Sequence, residues 1–145
     1  MNIFLSTPIS CFTTTEELAG YKQELSKLLM SLRQKHDVCA EIERLESFDS
    51  YDPSEKSLGT DMRAIQICDV FIMHYPKSFP TSALIELGAA ISEQKTILII
   101  VPSVSLLPYL ATGIPAYIDG SFIIESTDID DICVEKIEKI LDDIQ

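Results

Sequence analysis

Apolar positions along this chain switch repeatedly between a two-residue period and a helical one. Asn2 to Thr7 is a short apolar run that stops at Pro8, which predicts a first strand. Thr13 and Thr14 then precede Glu16 and Glu17, matching the S/T-x-x-E capping box twice over. Behind them Leu18, Tyr21, Leu25, Leu28, Leu29 and Leu32 recur at helical spacing, so a helix is expected through about Lys35. Val38 to Ile42 reads as a second strand.

A polar stretch, Glu43 to Gly59, follows. Within it Asp52-Pro53-Ser54-Glu55 has the form of a helix start, with Asp as cap and Pro in the first turn. Gly59 is expected to interrupt that helix, and Thr60-Asp61 to cap a second piece running to Cys68. Asp69 introduces a strand from Val70 to Tyr75, Pro76 to Thr81 is a loop, and Ser82 to Gln94 is a helix. Thr96 to Val101 is apolar at five of six positions, as expected of a strand buried on both faces of a sheet. A short helix over Leu106 to Ala111 and a fifth strand over Ser121 to Glu125 come next. The chain then continues from Asp128 as an amphipathic helix with Cys133, Ile137, Ile140, Leu141 and Ile144 on one face.

Strands alternating with helices predict an α/β fold. We expect residues 1–145 to form one domain, a three-layer, Rossmann/flavodoxin-like parallel five-stranded sheet with helices on both faces. In such sheets ligands bind beyond the carboxyl ends of the strands. Three segments therefore matter most: Ser6 to Thr15, Phe48 to Asp61, and Tyr75 to Glu86.

Composition narrows the function. A hydrophobic share of 46% against 23% charged residues over 145 residues is a globular balance for one domain. No apolar run approaches the roughly 20 residues that span a bilayer, and Met1 to Pro8 lacks the basic start and long apolar core of a signal peptide. The expected location is cytoplasmic, with no membrane partner. A net charge of −12 without a basic stripe argues against a nucleic-acid polymer as partner. A small anion remains compatible with it, because a helix N-terminus can hold one phosphate. The scattered Cys11, Cys39, Cys68 and Cys133 form no C-x-x-C pair, and with only His36 and His74 beside them no metal site is expected. The first strand leads into Ser6-Thr7-Pro8-Ile9-Ser10 rather than a glycine-rich phosphate loop, which disfavours NAD-dependent redox chemistry and P-loop hydrolysis. No cofactor is expected.

The strongest local signal is Ala83-Leu84-Ile85-Glu86-Leu87-Gly88-Ala89-Ala90-Ile91. A helix apolar on every side is a buried helix, and a carboxylate inside one is costly unless it is paired or faces a polar cavity. Glu86 also lies near its helix N-terminus, where the dipole favours negative charge. Such a group suits a nucleophile towards a carbon that becomes cationic, or a base that activates water. The structural alternative is a Glu86 bonded to backbone amides or paired with Arg63. Asp61, in a helix's first turn, is explained equally well by the dipole and by function. Hydroxyls gather at the strand ends: Ser6, Thr7 and Ser10 in the first loop, and Ser78, Thr81 and Ser82 before the Glu86 helix. They suit a sugar or a phosphate, and equally suit loops and caps. His74 reads as a packing residue.

The ordered combination Asp61-Met62-x-Ala64-Ile65-x-x-Cys68-Asp69-Val70-Phe71-Ile72, then a loop, then Ser82-Ala83-Leu84-Ile85-Glu86-Leu87-Gly88-x-Ala90, resembles the nucleoside 2-deoxyribosyltransferases and their nucleotide N-hydrolase relatives. The resemblance runs from Ile3 to about Pro102. It implies that Glu86 attacks the anomeric carbon and forms a glycosyl-enzyme intermediate, and that Asp61 contacts the base or assists its departure. It also implies a sugar pocket lined by the first strand-loop (Ser6, Thr7, Pro8) and the loop before the Glu86 helix (Tyr75, Ser78, Ser82). The implied ligand is a small-molecule nucleoside or nucleotide, and the implied assembly a homo-oligomer, dimer or higher. The chain differs from the family pattern in three places. Phe4 stands where relatives often carry a Tyr that orients the Glu, Thr7-Pro8 replaces a Gly-Pro, and Pro80-Thr81-Ser82 replaces a glycine-bearing segment. Two other functions share this kind of sheet: a TIR-like NAD-cleaving domain with a catalytic Glu on a helix, and a sensor that binds a nucleotide without turning it over.

Overall fold

The computed structural model describes residues 1–47, 51–79 and 81–144. Phe48 to Ser50, at the head of the expected 48–61 segment, and Pro80, in the expected 76–81 loop, lie outside the described residues. The strands are β1 (Asn2–Ser6), β2 (Asp37–Ala40), β3 (Val70–His74), β4 (Thr96–Val101) and β5 (Phe122–Glu125). The helices are α1 (Thr15–Leu32), α2 (Ser54–Ile67), α3 (Ala83–Ser92), α4 (Ile114–Tyr117) and α5 (Asp131–Ile144). All pairings are parallel and the order across the sheet is β2-β1-β3-β4-β5. The expected three-layer α/β sheet is therefore what the chain forms.

Alternation along the strands divides the core in two. Ile3, Leu5, Val70, Ile72, Leu98 and Ile100 point to the face covered by α1 and α5. Phe4, Phe71, Met73, Ile97 and Ile99 point to the face covered by α2 and α3. Helix α1 starts where the Thr/Glu pattern put it. Thr14 Oγ1 accepts from the Glu17 amide at 3.1 Å, while the Glu17 carboxylate accepts from the Thr13 amide at 2.9 Å. The reciprocal bond thus reaches one residue beyond the cap. Helix α3 is closed off two residues beyond Ser92 by Gln94, whose φ of 52° lets the Lys95 amide bond back to the Ala90 carbonyl at 3.0 Å. Among the described residues no helix is long and apolar enough to cross a membrane.

Three local expectations need correcting. Strand β2 ends at Ala40 rather than Ile42, because its pairing with β1 stops at Leu5↔Ala40 and Glu41–Arg44 closes into a 3-10 turn. Helix α2 is continuous from Ser54 to Ile67, so Gly59 does not interrupt it and Thr60-Asp61 caps nothing. At its start Pro53 takes the cap position with an extended ψ of 139°, and Asp52 instead pairs with Lys56 at 2.8 Å. The helix expected over Leu106 to Ala111 is split into 3-10 turns at Val104–Leu106 and Tyr109–Gly113. Pro108 has no N–H to offer, and Leu107 before it is extended at ψ 148°.

Gly59 lies inside a helix with only Arg63 Nη2 near the place a methyl group would take, at 4.0 Å. Gly59→Ala should therefore stabilise the fold by about 0.5–1 kcal/mol through the lower entropy of the unfolded chain. Urea denaturation checks this; a lower midpoint for the variant contradicts a continuous α2.

Candidate active site

The chain leaves β1 towards α1 on one face of the sheet and leaves β3 towards α3 on the other. That divergence between adjacent strands opens a crevice at their carboxyl ends, the usual ligand position in an open parallel sheet. A cavity of about 720 Å³ lies there, inside the roughly 300–1,000 Å³ range of small-molecule sites. Its floor is the end of β1, from Phe4 to Thr7. Phe4 stacks on Phe71 of β3 with ring centroids 5.7 Å apart.

Glu86 enters from the first turn of α3. The Ser6 hydroxyl, on a residue only 1% exposed, donates to Glu86 Oε2 at 2.5 Å. Among the described residues no ion pair joins Glu86 to Arg63, which is exposed. Burial pushes the Glu86 carboxyl up to about 7; the Ser6 hydrogen bond works against the rise, while the charges of Asp61 and Glu41 add to it.

Asp61 faces the same cavity from the middle of α2. Its Oδ1 is buried without a hydrogen-bond partner. Burial raises this carboxyl to about 6, with Glu41 adding to the rise and Arg44 opposing it. Glu41 and Arg44, from the turn after β2, line the cavity and lie 3.0 Å apart. That contact is an ion pair without hydrogen-bond alignment, since Glu41 Oε1 has no hydrogen-bond partner. Four carboxyl groups, those of Glu41, Asp52, Asp61 and Glu86, thus share one pocket with a single arginine among its described lining residues.

Of the residues singled out from the sequence, Glu86, Asp61, Ser6, Thr7 and Ser82 line the cavity, and Pro8, Tyr75 and Ser78 do not. Tyr75 is buried, and its hydroxyl accepts from the Phe79 amide and donates to the Phe79 carbonyl, both at 3.0 Å, so it pins the loop before α3. Ser78 is exposed and Pro8 is buried in the first loop. His74 packs on the opposite face, where Tyr21 stacks on it and the Tyr21 hydroxyl lies 2.6 Å from Nδ1. Burial lowers that imidazole to about 4, so it is neutral. The sequence reading missed Glu41 and Arg44. The rule about strand ends points to them once β2 stops at Ala40. Tyr51, Leu58 and Ile85 at the rim carried no chemical signal. Among the described residues no group of His, Cys, Asp and Glu is disposed to hold a metal ion.

Comparison of the sequence with protein-family models and with curated proteins gives no match. Solved structures share the fold over nearly the whole chain. A Clostridium botulinum CMP N-glycosidase, BcmB, is 19% identical with a TM-score of 0.67, covering 94% of this chain and 98% of its own. BlsM, known from a solution structure, is 18% identical with a TM-score of 0.70, covering 99% of this chain and 93% of its own. A conserved protein from Enterococcus faecalis V583 is 12% identical with a TM-score of 0.61, covering 94% and 96%. At these identities the likeness establishes the class of fold, a flavodoxin-like parallel sheet shared with an N-glycosidase, and nothing finer.

The raised Glu86 carboxyl has a consequence for stability. The folded chain holds this proton more tightly than the unfolded chain, whose ordinary value is 4.5. The contribution is therefore most favourable at low pH and is lost as pH rises through about 7. Glu86→Gln should be more stable than the wild type at pH 8, by on the order of 2 kcal/mol, with a smaller difference at pH 5. Denaturant melts at the two pH values test this; a difference that does not grow with pH contradicts the assigned burial.

Proposed function

We propose that this chain breaks the N-glycosidic bond of a nucleoside or nucleotide, with Glu86 as nucleophile and Asp61 as the acid that helps the base depart. The observation that carries the proposal is the half-buried Glu86 carboxyl, bonded to Ser6 and facing the crevice cavity that Asp61 also lines. A fold shared with a CMP N-glycosidase supports it.

The chemistry is direct. A Glu86 carboxylate oxygen bonds to C1′ as the C1′–N bond breaks, and its electron pair leaves with the base, which takes a proton from Asp61. The carbon is cation-like between the two bonds, and an adjacent carboxylate stabilises it. Water then hydrolyses the ester to free sugar; a second base in place of water gives transfer. Assembly into a homo-oligomer belongs to the same proposal. Its support is the outer side of α3, where Ile85 is 63% exposed and the helix carries no charge besides Glu86. Sedimentation showing only monomer at micromolar concentration contradicts that part.

The reactive form needs Glu86 ionised and Asp61 protonated. With carboxyls near 7 and 6, kcat/KM should follow a bell-shaped pH curve with its maximum between pH 6 and 7. Asp61→Asn should remove the alkaline limb. The assay is release of free base from a panel of ribo- and deoxynucleosides, their 5′-monophosphates and NAD. Glu86→Ala should lower the rate by more than about 1,000-fold. Unchanged rates in Glu86→Ala, nicotinamide as the only product, or tight nucleotide binding without any product each overturn the proposal.

A further inference from the structure

Side chains two apart on a strand share a face, so Phe4 and Ser6 of β1 both point towards α2 and α3. Phe4 brings a ring with no polar atom, and Ser6, level with Met73 of β3, brings the hydroxyl. Ser6 is almost completely buried, so its one proton needs an acceptor. Glu86 Oε2 is that acceptor, at 2.5 Å. No other side-chain hydrogen bond to Glu86 occurs among the described residues. A glutamate arm anchored at one oxygen by a strand keeps its remaining oxygen in a narrow range of positions.

We propose that Ser6 is a positioning residue rather than a sugar ligand: its hydroxyl holds Glu86 Oε2 and leaves Oε1 as the oxygen that attacks C1′. This rests on the reading of Glu86 as nucleophile. The rigid end of β1 thereby sets the angle of the attacking group, a role that Phe4 lacks the chemistry to perform. The hydroxyl also favours the ionised form of Glu86, against burial and against the two charges that face it, Asp61 from α2 and Glu41 from the turn after β2. Arg44, paired with Glu41, is the described cation in the same wall.

The experiment compares Ser6→Ala, Ser6→Thr and Ser6→Cys with the wild type, following base release from the best substrate across pH. Ser6→Ala should lower kcat by about 10- to 100-fold with KM changed less than about threefold, the range for losing a hydrogen bond to a charged group. It should also move the maximum of the pH curve upwards, because the hydroxyl favours the ionised form of Glu86. Ser6→Thr keeps the hydroxyl and should restore both. Ser6→Cys fills the same space with a weak donor, so it should resemble Ser6→Ala even if the alanine variant folds poorly. An unmoved pH maximum, or a loss confined to KM, overturns the positioning role and returns Ser6 to substrate binding.

The Glu86 carboxyl is followed separately by 13C NMR in glutamate-labelled protein, using Glu86→Gln to assign its signal. If its titration moves upwards in Ser6→Ala while no substrate is cleaved, the glycosidase reading fails and the Ser6–Glu86 pair stands. If cleavage proceeds and the titration stays in place, the positioning proposal alone fails.

Discussion

The partial burial of one carboxyl group, Glu86, is the constraint on which the crevice depends. Helix α3 is otherwise made of Ala, Leu, Ile, Gly and Ser, a composition suited to packing on a sheet. A carboxyl in that setting is tolerated only where the sheet supplies a donor and the fold leaves a cavity. Both conditions meet at the end of β1, where Ser6 gives the hydrogen bond and the crevice begins. Burial favours the protonated form, which is a poor nucleophile, and the Ser6 hydroxyl works against it.

The sheet order puts that carboxyl in chemical company. With β1 and β3 adjacent and their connections leaving to opposite faces, α2 and the turn after β2 close over the same space. They bring Asp61 and Glu41, so the pocket concentrates negative charge in a chain that already carries −12. Each carboxyl makes its neighbours harder to ionise, and Arg44 offsets this only in part. The arrangement costs stability at neutral pH. With the Glu86 value the higher of the two, the form with Glu86 ionised and Asp61 protonated that the proposed reaction uses is the minor one-proton form of the pair. The opposite face, with neutral His74 under Tyr21, is occupied by packing instead.

Much of this was legible in the sequence. The TILIIV run gave β4 because a strand covered on both faces has no polar side to show, and the Thr/Glu pattern gave the start of α1 because it supplies both capping bonds. Glu86 stood out from its apolar helix and Asp61 through the family resemblance, and both line the cavity. Errors arose where tertiary context overrode a local rule. Gly59 reads as a breaker, yet α2 runs through it with its Ile65 side packed on the sheet. Ile42 extended the apparent second strand because it is buried, but it is buried from a 3-10 turn, and that one misjudgement hid Glu41 and Arg44. Tyr75 looked like a pocket residue from its place after β3, whereas the strand's alternation turns it inwards to hold the loop. The Ser6–Glu86 bond spans 80 positions, and no local pattern encodes it.

The account depends on Glu86 forming a covalent bond to the sugar, and mass spectrometry observes that bond directly. The protein is incubated with a 2′-fluoro-2′-deoxynucleoside or its 5′-monophosphate, in which the electron-poor sugar slows the second step, then quenched in acid and digested. The account predicts that base is released and that the peptide containing Glu86 gains the mass of the fluorinated sugar, a gain absent from Glu86→Gln. Base release with the Glu86 peptide unmodified, or the added mass on any other residue, contradicts it.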